Sequence, residues 1–357
     1  MRSHFLLSQG VATACAVAGA ATLLNGNCSA QNPIAADFAT NSTYASGWSA
    51  GQNGGYGFGP WSMANTEATS PIEAAMDSTS PYNPFGVAWT LYNPEGSTPD
   101  AGPGGQCANP PTGTDISRAG RAIPGGLLVG QTFSTIIANP TDRKFFRGYA
   151  IVLSTGSDNI AYNKVGTQLA VGTFDYGTFG NWYTTDPSLQ SSRQSTSLFD
   201  TDTSTNGMQV DITLTSTNTY HVVMTPLGNP GNAYSGDARL ENKGLTSQGP
   251  VNWVTYELYN TDSNFYPSGC PCGPDRTDFY IKGMTISALT LNIRKDDPNV
   301  ILSWSTNAPG FKLESTANLA APVWNPVSPD PVIVNGQNAV TNPIAGTQQF
   351  YRLRLPQ

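Results

Sequence analysis

From residue 208 onward the chain alternates. Met208, Val210, Ile212 and Leu214 are apolar while Gln209, Asp211 and Thr213 are polar, the two-residue period of a strand with one buried face. Tyr220, Val222 and Met224 repeat the period after Ser216-Thr217-Asn218, which predicts a hairpin in a sheet with one wet face. Short β runs at 127–133, 148–153, 165–174, 251–258 and 278–287 are punctuated by Gly, Pro, Asn and Asp. The Gly/Pro-rich stretch 93–114 and the polar stretch 184–206 read as long loops. Together these predict an all-β fold: a jelly-roll β-sandwich over residues 31–287.

A second unit starts near Ala288. Leu289, Leu291 and Ile293 alternate with Thr290, Asn292 and Arg294, and Asp296-Asp297-Pro298-Asn299 turns the chain. Further strand patterns at 300–304, 311–314, 332–334 and 350–355 predict a small immunoglobulin-like β-sandwich over 288–357, with Trp304 and Trp324 in its core. At the other end, a basic Met1-Arg2-Ser3-His4, an apolar stretch over 5–24 and a small-residue finish at Ala30 form the pattern of a secretory signal peptide over 1–30. No later run approaches the roughly 18 apolar residues of a membrane span, so a secreted protein without membrane insertion is expected.

Composition narrows the partners. Only 11% of residues are charged and 38% hydrophobic, against about 25% and about 45–50% in ordinary soluble domains, which excludes a helical bundle or coiled coil. A net charge of −7 without a basic stripe excludes nucleic acid, which needs cations to replace phosphate counterions. Five cysteines become three once Cys15 and Cys28 leave with the signal peptide, and a bridge from Cys107 to Cys270 or Cys272 is expected in an oxidising compartment.

Several motifs carry candidate chemistry. Gly47-Trp48-Ser49-Ala50-Gly51 matches a nucleophile elbow, but Gln52-Asn53-Gly54-Gly55 cannot begin the helix that elbow needs. His221, the one histidine beyond the signal peptide, sits inside a predicted strand, so the match is read as chance in a Gly- and Ser-rich chain. Glycoside hydrolysis needs two carboxylates roughly 5–10 Å apart. Of Glu67, Glu73, Glu95, Glu241, Glu257 and Glu314, Glu257 is the candidate acid or base, since Trp253 and Tyr256 flank it on a strand. Asp200, Asp202 and Asn206 gather oxygen donors on one turn, the donor type that Ca²⁺ takes. Two aromatic groups are interleaved with glycine. Tyr176, Trp182 and Tyr183, from the second, are the candidate sugar-binding residues, whereas Trp48 and Trp61, from the first, are expected to fill core or edge.

Leu302-Ser303-Trp304, Phe311–Thr316, Asn318-Leu319, Trp324 and Phe350–Leu353 resemble a C-terminal module of exported proteins of environmental bacteria. The run Asn206–Val210, then Asn218–Val222, then Asp278–Ile281 resembles the concanavalin-A-like lectin/glucanase superfamily. That resemblance implies the jelly-roll fold. The paired carboxylates of its glucanases, spaced Glu-x-Asp-x-x-Glu on one strand, are not matched here. The expected function is a secreted, non-catalytic carbohydrate-binding or cell-surface interaction protein, with a polysaccharide or cell-surface glycan as partner. The alternatives are a polysaccharide-active hydrolase or lyase using Glu257, and a purely structural envelope or matrix protein.

Overall fold

The computed structural model describes residues 15–18, 33–65, 74–80, 83–92, 101–102, 106–107, 116–139, 149–156, 165–173, 181–188, 193–199, 206–259, 278–306, 310–334, 337–344 and 348–354. The protein is all-β. Among the described residues the only helical turns are the 3₁₀ pieces Ser42–Tyr44 and Pro230–Asn232.

Two antiparallel sheets form the large sandwich. One has seven strands in the order Arg193–Phe199, Asn181–Thr185, Thr167–Thr173, Tyr149–Ser154, Val251–Tyr259, Ile116–Leu127 and Trp61–Asn65. The other has eight: Tyr234–Arg239, Thr219–Pro226, Met208–Leu214, Thr132–Ala138, Asp278–Ser287, Ala88–Tyr92 and Ala74–Asp77, with Ala35–Phe38 also paired to Asp278–Ser287. The chain crosses between sheets repeatedly, as from Ile116–Leu127 to Thr132–Ala138 and back to Tyr149–Ser154. This is the jelly-roll arrangement expected from the strand pattern.

Alternation fixes which face is dry. Met208, Val210, Ile212, Tyr220, Val222 and Met224 from one sheet meet Ile151, Leu153, Leu169, Val171, Val254 and Tyr256 from the other in one buried cluster. Two hydroxyls that enter this core find partners across it. The Tyr256 hydroxyl and Thr135 Oγ1 are 2.8 Å apart, and the Tyr220 hydroxyl donates to the Thr185 carbonyl at 2.5 Å. Each bond joins the two sheets.

The segment 35–61 closes one part of the sandwich around a buried ion pair. Arg121 points inward, and its Nη1 lies 2.6 Å from Asp37 Oδ2 with both side chains fully buried. The rest of the guanidinium donates to Gly59 O and Asn53 Oδ1 and lies over the rings of Trp61 and Phe58. Asp37 also accepts from Tyr44 Oη, the Phe38 N–H and Asn41 Nδ2. Trp48, Trp61 and Trp89 pack edge-on and stacked beside it, so Trp48 and Trp61 are core residues, as expected.

The structure also corrects the strand reading. Residues 128–131 form a turn between Ile116–Leu127 and Thr132–Ala138, where a strand over 127–133 was expected. Gly130 makes this turn at φ +84°, a conformation that costs glycine little, and donates its N–H to Leu214 O. Within 184–206, expected as a loop, Arg193–Phe199 is a strand paired with Asn181–Thr185.

Beyond residue 288, Asn292–Asp296, Asn299–Ser305, Gln337–Pro343 and Val332–Val334 make one sheet. Lys312–Thr316, Gln348–Arg354 and Asn325–Pro326 belong to another. Leu291, Leu302, Trp304, Leu313, Val340, Tyr351 and Leu353 form a second buried cluster. Trp324 is not in it: this ring is only half-buried and carries the Arg352 guanidinium 4.2 Å from its centroid. Cys15–Ala18, from the segment expected to be removed, pairs antiparallel with Gln348–Tyr351. Small apolar residues there occupy what is otherwise an open sheet edge.

Candidate functional site

The outward face of the seven-stranded sheet brings together the side chains that chemistry can use. Register places them in rows. One row runs Ala64, Arg118, Glu257, Ala150, Gly172, Tyr183 and Ser195, and the next runs Ser62, Gly120, Thr255, Val152 and Ala170. Trp253 follows on the third row, opposite Ala122 and Ser154. The floor of the face is therefore small: Gly120, Ala150, Ala170 and Gly172 lie under larger residues at either end.

Gly120 is small for a definite reason. A Cβ there would stand 2.6 Å from Trp253 Nε1 and 2.9 Å from Thr255 Oγ1. The indole nitrogen thus comes over Gly120. Trp253, Arg118 and Tyr183 keep partial exposure, whereas Glu257, Thr255, Ala150, Val152 and Ala170 are closed off from solvent. Thr255 Oγ1, Ser154 Oγ, Thr167 Oγ1 and Trp253 Nε1 are buried polar atoms without a hydrogen-bond partner in the structure. An unpaired buried polar group costs about 1–3 kcal/mol, and this face carries three such hydroxyls and one indole N–H.

Glu257 faces outward in this row, register-paired with Arg118 on one side and Ala150 on the other, and makes a polar or electrostatic contact of its own. Tyr183 lies three strands away, about 14 Å at ordinary strand spacing. Among the described residues no second carboxylate shares the face with Glu257. Tyr256, its neighbour in sequence, points the other way into the core, where burial pushes its phenol well above the usual tyrosine range.

Other sequence expectations fare differently. Trp182 is fully buried and packs edge-on against Tyr149, with ring centroids 5.1 Å apart, so it is a core residue and no sugar platform. Its Gly- and Asn-rich flanks suggested a loop, but strand alternation in Asn181–Thr185 turns it inward while Tyr183 turns out. Asn206 is exposed on the turn before Met208–Leu214. Asp200, Asp202 and Tyr176 lie outside the described residues, as do Cys270 and Cys272. Among the described residues no three His, Cys, Asp or Glu side chains come together as a metal site. Ser49 is exposed on an irregular turn with no helix after it, as its flanks required.

The approach of Trp253 to Gly120, the place of Arg118 on the same face and the partners of His221 are not legible in the sequence. His221 Nδ1 lies 2.8 Å from Asp237 Oδ1, and Ser235 Oγ lies 3.0 Å from His221 Nε2. The partners are 14 and 16 residues away along the chain and meet only through strand pairing.

No protein-family model matches the chain, and no curated protein does. Among solved structures, one described with endo-acting O-glycanases of the human gut microbiota that initiate mucin breakdown is similar over 72% of this chain and 100% of its own, at 10% identity and a TM-score of 0.40. A glycoside hydrolase family 16 enzyme from Bacteroides ovatus, bound to a mixed-linkage glucan product, is similar over 63% and 94%, at 9% identity and 0.35. The exoplasmic/lumenal domain of VIP36, bound to Ca²⁺ and Man3GlcNAc, is similar over 67% and 87%, at 8% identity and 0.32. No activity transfers at such identities. The strand order and the face described above define the class: a jelly-roll β-sandwich protein.

Proposed function

We propose that this protein is an exported carbohydrate-binding protein that takes a polysaccharide or cell-surface glycan on the outward face of its seven-stranded sheet. The observation that carries the reading is the part-exposed Trp253, whose indole nitrogen reaches over Gly120 on the face that also carries Arg118 and Tyr183. An indole offers the apolar surface that sugar rings stack on, and the part-exposed Arg118 guanidinium and Tyr183 phenol supply directional bonds to sugar oxygens. The open end of the face is the one at Trp253, Arg118 and Ser62, and Tyr183 extends it on the far side. Glu257 serves here as a hydrogen-bond acceptor. A hydrolytic role needs a second carboxylate across the sugar, which the described part of the face does not supply. Export is supported by the leader pattern of residues 1–30. No helix among the described residues is long and apolar enough to cross a membrane. Asp200, Asp202 and Asn206 are the proposed Ca²⁺ ligands.

The test is depletion of the protein from solution by a panel of insoluble polysaccharides, with Ca²⁺ or with a chelator. New reducing ends are measured in the same tubes. Depletion without new ends, lost in Trp253→Ala and weakened in Arg118→Ala, is the expected result. New ends abolished by Glu257→Gln overturn the non-catalytic reading, and no depletion by any glycan overturns the glycan reading in favour of a structural role. Depletion unaffected by chelation removes Ca²⁺ from the site.

A further inference from the structure

The eight-stranded sheet ends in Tyr234–Arg239, and the outward face of this terminal strand carries a second constellation. His221 stands in register with Asp237, and Ser235 lies one step diagonal to it on the same face. The two ring nitrogens are used in opposite directions: Nδ1 at 2.8 Å from the Asp237 carboxylate and Nε2 at 3.0 Å from the Ser235 hydroxyl. An ionised carboxylate only accepts, so Nδ1 carries the proton and donates it to Asp237. Nε2 is then left as an acceptor for the Ser235 O–H. The imidazole is nearly enclosed, with 10% of its side chain exposed, while Ser235 faces solvent.

Strand geometry adds a donor. The Leu240 N–H bonds to Asn218 O, so the even-numbered members of the terminal strand bond inward to Thr219–Pro226. Ser235 and Asp237 therefore turn their own N–H groups toward the open end of the sheet. The Ser235 N–H stands beside its own hydroxyl, where charge develops on an attacked carbonyl oxygen. Gly236 separates the two functional residues because the Tyr234 phenol lies across it on the other face.

We propose that Ser235, His221 and Asp237 form a nucleophilic centre for carboxylic esters, apart from the glycan face and independent of it. Ser235 Oγ attacks the ester carbonyl carbon as its proton passes to His221 Nε2. The carbon–oxygen bond to the alcohol breaks, and that proton leaves with the alcohol. Water then attacks the acyl carbon, gives a proton to His221, and the Ser235 ester bond breaks as Oγ regains it, releasing the acid. Asp237 is a positioning residue that holds the Nδ1–H tautomer. Because Ser235 sits on a flat, open strand, the centre fits an ester protruding from a larger molecule or a small free ester.

The experiment treats the full chain with a fluorophosphonate probe and with p-nitrophenyl acetate, and maps the labelled peptide by mass spectrometry. The expected result is a single adduct on Ser235, absent in Ser235→Ala, with the labelling rate reduced on the order of 100-fold in His221→Gln and in Asp237→Asn. The chain has two histidines, His4 and His221, so nitrogen-15 NMR of the imidazoles resolves each. The His221 Nδ1–H signature is expected in the unaltered protein and lost in Asp237→Asn. No adduct on Ser235, or an unchanged rate in Asp237→Asn, overturns the proposal. Should His221→Gln fail to fold, Asp237→Asn still decides, since that carboxylate is 71% exposed and its loss leaves the core intact.

Discussion

Asp37→Ala should unfold this protein more readily than any surface change of similar size. Asp37 and Arg121 are both fully buried and 2.6 Å apart, so truncation strands a guanidinium in the core. Breaking a buried pair from one side costs about 3–5 kcal/mol, because the remaining charge has neither water nor partner. Here the loss is tempered, since Arg121 keeps Gly59 O at 2.6 Å, Asn53 Oδ1 at 2.6 Å and the face of Trp61 at 4.7 Å. It is aggravated by the Tyr44, Asn41 and Phe38 donors that lose their acceptor. For a sandwich of this size about 3–5 kcal/mol lowers Tm by roughly 6–20 °C. Urea unfolding followed by tryptophan fluorescence suits the measurement, because Trp48, Trp61 and Trp89 pack around the pair. The double variant Asp37→Ala with Arg121→Met removes both charges and should be less destabilised than the sum of its parts by at least about 1 kcal/mol. A loss under about 1 kcal/mol for Asp37→Ala, or strict additivity in the double variant, refutes the reasoning.

Three further outcomes follow from the packing. Gly120→Ala should push the Trp253 indole off the sheet, costing about 1–3 kcal/mol and weakening glycan depletion together; a variant as stable and as retentive as the parent contradicts the described contact. Trp182→Ala should cost about 3–5 kcal/mol in urea unfolding, as a core cavity does, and a stable variant that has lost only glycan retention restores the surface role. Tyr44, Tyr220 and Tyr256 have phenols raised by burial, with Asp37 adding to the effect at Tyr44. The folded chain holds these protons to higher pH than the unfolded chain. The stability they contribute is therefore complete below pH of about 10 and is lost as pH rises past it. Phenolate absorbance during alkaline titration checks this: a late group of tyrosines should ionise with unfolding, and uniform ionisation near pH 10 in the folded protein counts against it.

Legibility varied by element. The pair Met208–Leu214 and Thr219–Pro226 was readable because each strand buries one face, so its alternation is written in adjacent residues. Residues 127–133 were misread because the apolar content continues through a turn that Gly130 makes by its conformation. Trp182 misled because glycine and asparagine beside it are turn formers, while its inward direction comes from pairing with Arg193–Phe199, itself mistaken for loop. Glu257 was found by its aromatic flanks, yet the direction of those flanks was mixed: Trp253 shares its face and Tyr256 faces the core.

Composition and local period thus determined the all-β class and the core face of the regular strands, since each is a property of neighbouring residues or of totals. Tertiary structure decided what lies beside what. His221 had no partner until register set it against Asp237, Gly120 had no meaning until the Trp253 indole nitrogen came over it, and Asp37 met Arg121 from 84 residues away. Cross-strand neighbours depend on which strands pair and in what register, and that choice is made by burying one shared core, so no single segment of the chain contains it.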